Sequence, residues 1–126
     1  MITPKSYSKK SDGSFGKAVK DLIYSRDQGK CSRCGAVAEF EYHHRKPRQM
    51  GGTSNPEIGQ ASNGVLLCQE CHRAVEARPF LGKLTGFLIS GNGIAKPTEV
   101  PIFHALFGWV LLDDSGGFEP THERPE

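Results

Sequence analysis

The sequence predicts an α+β domain held together by a bound metal ion. Three observations point there. Helix-period and strand-type apolar patterns alternate along the chain, and all four cysteines fall into two Cys-x-x-Cys pairs. The 15 glycines and an apolar fraction of 37% leave only a modest core for 126 residues, so one compact unit with a metal staple is the expected solution.

The elements follow in order. Residues 1–14 are polar, with almost no apolar anchor, and are expected to be a flexible N-terminus. From Phe15 to Gln28, the residues Phe15, Val19, Leu22 and Ile23 recur at three- and four-residue spacing, which predicts an amphipathic helix that Gly29 ends. Cys31-Ser-Arg-Cys34-Gly35 has the form of a metal knuckle, with glycine permitting the tight turn after the second thiolate. AVAEFEYHH, residues 36–44, predicts a strand, and residues 45–62 a long loop of Pro, Gly, Ser, Asn and Gln. Gly64-Val-Leu-Leu67 suits the second strand of a hairpin, and Gln69 to Arg78 a helix halted by Pro79. LTGFLI (84–89) and VPIFHALFGWVLLDD (100–114) predict further strands, separated by the turn Gly91-Asn-Gly93, and residues 115–126 a disordered tail. In these C-terminal strands Phe103, Phe107 and Trp109 read as core groups and His104 as structural; His122 in the tail reads as incidental. The division is therefore 1–14 flexible, 15–80 core, 81–114 a C-terminal β extension packed on it, and 115–126 tail.

No run of about 18 apolar residues occurs, which argues against a membrane span, and MITPKSYSKK lacks the apolar stretch of a secretion signal. The expected compartment is a reducing cytoplasm, where paired cysteines bind metal rather than form disulfides. Charge is uneven: residues 1–50 carry 11 Lys/Arg against 5 Asp/Glu and residues 51–126 carry 5 against 9, giving the net +2. A basic N-terminal half suits a polyanion, although a bias this small also describes an ordinary solvated surface.

Cys31, Cys34, Cys68 and Cys71 can complete a tetrahedral zinc shell. The 33 residues between the pairs exceed the usual ribbon spacing of about 15–20, so something sizeable sits between the knuckles. That insert holds His43 and His44, followed by Arg45, Lys46 and Arg48, while His72 directly follows the last cysteine. A zinc ion here clamps the segments that carry these histidines.

In CSRC (31–34), EYHHRKPRQMGG (41–52), SNGVLLC (62–68) and CH (71–72) the chain resembles the HNH (His-Asn-His) endonucleases in their four-cysteine form, over roughly residues 16–78. The RKPRQMGG context and small size are most similar to versions from bacteriophages and prophages. The resemblance implies a ββα-metal (His-Me finger) nuclease motif with a structural four-cysteine zinc site, plus the N-terminal helix and the additional C-terminal strands.

It also implies site roles. His44 matches the general base that takes a proton from the attacking water, for which a neutral imidazole with a pKa near ~6.5 is suited. His43 stands where many family members have aspartate and, with His72, matches the ligands of one catalytic divalent ion; replacing the carboxylate shifts the preference from Mg2+ towards Mn2+, Ni2+, Co2+ or Zn2+. Asn63, nine residues before His72, matches the asparagine that orients the base and braces the hairpin loop; standing alone it would read as a turn residue. Arg45, Lys46 and Arg48 are candidate DNA phosphate contacts, against a solvated basic loop. The implied activity is metal-dependent hydrolysis of DNA to 5′-phosphate and 3′-hydroxyl ends. DNA is the implied partner, and for a phage protein so are packaging (terminase) proteins; oligomeric state stays open.

Consecutive strand residues point to opposite faces, so His43 and His44 are expected to share one metal-bound phosphate only where the strand twists or ends. Two rivals remain. A non-catalytic zinc-stabilised module that binds DNA or protein explains the cysteines but leaves His43, His44, Asn63 and His72 as coincidence. A zinc nucleobase deaminase needs His-x-Glu and Pro-Cys-x-x-Cys, whereas His44 is followed by Arg45-Lys46 and Cys68 is preceded by Leu67.

Overall fold

A computed structural model of the chain describes residues 13–48 and 55–122. Helix α1 spans Lys17–Asp27 and strand β1 Phe40–His44; β2 (Gly64–Cys68) runs directly into α2 (Gln69–Ala77), and α3 follows at Pro79–Leu84. Strands β3 (Ile102–His104), β4 (Gly108–Leu112) and β5 (Phe118–Pro120) complete the order. The two sheets are antiparallel: a β1-β2 hairpin and a β3-β4-β5 meander. The α+β class is as the sequence predicts.

Strand β2 is the spine. All five of its residues are buried, because it is covered on both faces. Val65 and Leu67 point into one cluster with Val75, Phe87, Ile102, Val110 and Leu112, while Leu66 points into the other with Phe15, Ile23 and Ala61. Period-two alternation thus sends successive β2 side chains to the meander and to α1. α1 comes close because Gly64 has no side chain: a Cβ there would lie 2.3 Å from Ile23 Cδ1.

A buried polar knot ties these layers together. The Arg26 guanidinium grips Asp27 through two bonds (2.8 and 3.2 Å) and donates to the carbonyls of Ala61 and Gly64. Asp27 in turn accepts from the Leu66 amide (2.9 Å) and from His104 Nε2 (2.8 Å). The Leu106 amide donates to His104 Nδ1, which places the imidazole proton on Nε2, facing the carboxylate. Burial by itself raises the Asp27 pKa, but His104 and Arg26 outweigh it and hold the carboxyl below its ordinary value.

Several sequence expectations are corrected. α1 starts at Lys17 rather than Phe15, and Gln28 (φ 60°) shares with Gly29 (φ 67°) the left-handed turn that ends it, the Gln28 amide bonding to Ser25 O and that of Gly29 to Tyr24 O. β1 is shorter than the apolar pattern, starting at Phe40. Pro79 does not simply halt α2; it starts α3, a position where its missing N–H is no loss. Residues 84–89 form no strand. Gly86 turns the backbone at φ 84° against Pro101, and the Phe87, Leu88 and Ile89 amides bond to Gly82 and Arg45 carbonyls rather than to a ladder. The turn at 91–93 is present. The supposed tail contributes β5, which pairs Phe118 with Leu112 and Pro120 with Val110. Asp113 builds the connecting turn by accepting from the Ser115 and Gly117 amides. Phe103 is half exposed and packs beside Trp109 on the outer face rather than in the core. The expected flexible segment 1–14 lies outside the described residues up to position 12, as do loop residues 49–54 and tail residues 123–126.

Candidate metal centre and histidine cleft

The first knuckle is a loop closed by Gly35 N to Cys31 O (2.8 Å) and Cys31 N to Ala36 O (2.9 Å), with Gly35 at φ 79°. Ser32 pins it to β2 by donating from its amide and its hydroxyl to Leu66 O. The second pair lies at the β2–α2 junction, so Cys68 and Cys71 face the knuckle from one end of the hairpin. All four Sγ atoms lie within 4.8 Å of one another. Cys34 and Cys68 Sγ are 3.9 Å apart, close to the edge of about 3.8 Å expected for sulfurs ~2.3 Å from a central zinc and far beyond a disulfide. The donor set and its spacing therefore fit zinc.

One guanidinium and two backbone amides face these sulfurs. Arg33 Nη1 lies 3.3 Å from Cys71 Sγ, and the Arg33 and Cys34 amides approach Cys31 Sγ at 3.4 and 3.5 Å. Burial opposes ionisation of Cys31, but backbone donors, that of Cys68 foremost and then those of Cys34 and Arg33, bring its thiol down to about 7.

On the same hairpin, an open cleft of about 350 Å³ is lined by His43, His44 and His72 together with Tyr42, Pro47, Arg48, Glu76 and Leu88. Of the two departures expected at the histidines it is the strand end that occurs: His43 pairs with Val65 and His44 with Gly64 in unbroken register, and β1 stops at His44. Their rings diverge as strand alternation requires. His43 turns to the α2 side, its ring centroid 5.4 Å from that of His72, and its Nε2 donates to Phe87 O at 2.7 Å. Burial lowers the His43 pKa to about 4, only partly offset by the Phe87 bond, so the ring is neutral near pH 7. His44 turns the other way, stacks on Phe15 and donates from Nε2 to Gly13 O at 2.7 Å. Both reach the cleft because the strand ends with them.

His72, one residue past the last cysteine on α2, is flanked by two carboxylates. Glu41 Oε1 contacts Nδ1 and Glu76 Oε2 lies 3.2 Å from Nε2. Among the described residues, the four cysteines are a group of three or more potential ligands whose donor atoms converge within 4.8 Å; the cleft histidines do not form one.

Asn63 is wholly buried and clamps the chain that follows the strand. Its Oδ1 accepts from Lys46 N (2.7 Å), and its Nδ2 donates to Lys46 O and Ile58 O. Two of the three basic residues read as phosphate contacts are not at the surface. Arg45 is 0% exposed and donates to the carbonyls of Gly86, Ser62, Pro97 and Val100, and burial, with Arg26 nearby, lowers its pKa to about 9. Lys46 is 3% exposed and binds Glu57 Oε2 and the carbonyls of Gly93 and Ala95. Both hold the C-terminal segment to the hairpin; Arg48 alone of the three is exposed, at the cleft. Sequence reasoning missed Glu41 and Glu76. The available signals were Glu41 two residues before His43, hence on its face of the strand, and Glu76 one helical turn after His72.

None of the described helices is long and apolar enough to cross a membrane. No curated protein and no solved structure matches the chain. Residues 31–78 match the family model of the HNH endonucleases, a span that begins at the first zinc-type cysteine and encloses the hairpin, the three cleft histidines and α2. Over residues 31–78 the chain is thus similar to the HNH endonucleases, and the four cysteines in that span are positioned to bind a metal ion.

Proposed function

We propose that the protein is a metal-dependent DNA endonuclease that hydrolyses phosphodiester bonds to 5′-phosphate and 3′-hydroxyl ends. The observation that carries this reading is the gathering of His43, His44 and His72 around one cleft, inside the segment that matches the HNH endonucleases. His44 acts as general base: the bond from Nε2 to Gly13 O keeps the proton there and puts the lone pair of the neutral ring on Nδ1. Phe15 stacked against the ring holds its plane. Asn63 acts through the backbone, fixing the Lys46 peptide directly after His44-Arg45.

His43 and His72 are the protein ligands of one divalent ion. The Phe87 carbonyl on His43 and the Glu41 carboxylate on His72 are the outer partners that metal-binding imidazoles characteristically have, and they fix the tautomer of each ring. When bound, the ion neutralises charge on the departing 3′ oxygen, so no strong protein acid is needed there. Mn2+, Ni2+, Co2+ and Zn2+ suit imidazole donors better than Mg2+. Arg48, exposed at the cleft rim, is the remaining candidate for a phosphate contact. The structural zinc aligns the strand and helix that carry these groups. A phage source and a packaging (terminase) partner belong to this reading through the sequence resemblance alone, and work in a reducing cytoplasm through the paired cysteines.

The alternative is a zinc-stabilised DNA- or protein-binding module, which the cysteine cluster also accommodates. Incubating the purified protein with supercoiled plasmid and each divalent metal in turn separates the two. Nicking that needs added metal supports the nuclease, whereas DNA that stays intact with every metal supports the module.

A further inference from the structure

Helix α1 runs back along β1, and the side-chain contacts between them come in order. Phe15 stacks on His44, Lys20 Nζ stands 5.4 Å over the ring of Tyr42, and Tyr24 lies beside Phe40. Phe40, Tyr42 and His44 alternate with Glu41 and His43 and so share one face of the strand, each about 6.7 Å from the next. That spacing is close to one step between neighbouring phosphates of a nucleic-acid strand. At the other end of the face, His44 Nε2 bonds to Gly13 O, and Gly13 lies so near Arg48 that a Cβ on it would meet Arg48 Cγ at 2.9 Å. His44 thus stands between two cations, Arg48 beyond the strand end and Lys20 one step behind.

Most of the other positive charge nearby is committed. Lys17 pairs with Asp21, Arg26 with Asp27 and Lys46 with Glu57, and Arg45 is buried among carbonyls. Lys20 is exposed, and among the described residues no carboxylate pairs with it; its partner is the face of a neutral ring. A ring face holds an ammonium in place but leaves its charge uncompensated towards solvent. Tyr42 also lines the histidine cleft, so the ammonium it carries stands beside the path of a polyanion entering there. The whole of α1 lies outside residues 31–78, so this cation is an addition of this chain to the matched segment.

We propose that Lys20, seated on the Tyr42 ring, binds the DNA phosphate next to the scissile one, so that Lys20 and Arg48 set the path of the strand across His44. This rests on the nuclease reading above. Lys20 touches no reacting atom, and its contribution is to binding and register.

The test uses the full-length, zinc-loaded protein and a short DNA duplex, with KM, kcat and the salt dependence of binding measured for each variant. Lys20→Ala should raise KM about fivefold or more and make the salt dependence shallower by about one charge, with kcat within about twofold of wild type. Lys20→Arg should recover most of the loss. Lys96→Ala, which removes an exposed charge outside the cleft, should match wild type. Once the cut positions on the duplex are mapped, a neutral methylphosphonate is placed one nucleotide to either side of a cut. On one side the lost charge should weaken wild type about as much as Lys20→Ala does, and should add little to Lys20→Ala itself. Wild-type KM for Lys20→Ala in a protein that cuts DNA, or additive losses at both positions, would leave Lys20 as no more than a cation on a ring and end this assignment while the nuclease reading stands. If wild type leaves DNA uncut with every divalent metal, the nuclease reading falls and this assignment with it.

Discussion

The ring of Phe15 lies flat on the imidazole of His44, centroids 4.0 Å apart and planes within 10°. The stacking depends on Gly64, which pairs with His44 across the hairpin. A Cβ at Gly64 would sit 2.7 Å from Phe15 Cζ and 2.3 Å from Ile23 Cδ1. Gly64→Ala should therefore push α1 and the Phe15 ring outward, at a cost of about 1–3 kcal/mol. Its nicking rate should fall, because His44 loses the surface that sets its plane. Thermal unfolding and nicking rates check this; a variant with wild-type values for both would contradict it.

Arg45 and Arg48, three residues apart, should respond in opposite ways. Arg45→Ala strands the Gly86, Ser62, Pro97 and Val100 carbonyls in the interior and should cost at least about 3 kcal/mol of stability. Arg45→Lys should recover little, since an ammonium has neither the planar fork nor the five donors of a guanidinium. Arg48→Ala should leave unfolding unchanged and weaken DNA binding, with a salt dependence shallower by about one charge. Urea unfolding and DNA titration across salt concentrations measure both, and a stable Arg45→Ala with weakened DNA binding would reverse the assignment.

Arg33 should govern how firmly zinc is held. Four thiolates on one Zn2+ leave net negative charge, and Arg33 Nη1 at 3.3 Å from Cys71 Sγ offsets part of it. Arg33→Ala should release zinc to a chromogenic chelator about tenfold faster. Complete removal by chelator should unfold the hairpin end of the domain, since the knuckle and α2 are then joined only by weaker contacts. Equal release rates for variant and wild type would show that the contact has no role in retention.

The Asp27–Arg26–His104 knot predicts acid sensitivity. The folded Asp27 carboxyl has a lowered pKa, so between that value and the unfolded one of about 3.9 the unfolded chain takes up a proton that the folded chain refuses. Its contribution is fully present above about pH 4 and is lost as pH falls through the folded value. Glu57 and Asp113 shift in the same direction but lie near the surface and add little. Asp27→Asn should cost about 3–5 kcal/mol at pH 7, because Arg26 is left buried beside a neutral amide. The variant should also lose part of the wild-type slope below pH 4. Equal slopes for the two proteins would remove Asp27 from this role.

What could be read from sequence was whatever local spacing determines. The cysteine pairs declared a metal centre, and the strand–helix order around Gly64–Ala77 followed from apolar runs and from the cysteines themselves. Burial of Arg45 and Lys46 could not be read, because it depends on residues 86–100 folding over them, some 40–55 positions away. The same applies to β5. SGGFEP has no strand pattern of its own, and its pairing comes from the open edge of β4. LTGFLI failed for the opposite reason, since a short apolar run shows burial without showing which backbone conformation delivers it. In the cleft, His43, His44 and His72 were visible as residue types. The opposed directions of the first two, one onto Phe87 and one onto Phe15, depend on tertiary partners.

The most direct measurement is plasmid nicking by His44→Ala beside wild type, in the metal that best supports the wild-type protein, with zinc content and unfolding recorded for both. The variant should keep its zinc, its fold and its DNA affinity while cleavage drops by at least about 10²-fold, the scale of a lost general base. Cleavage at the wild-type rate by a folded, zinc-loaded His44→Ala protein would contradict the account.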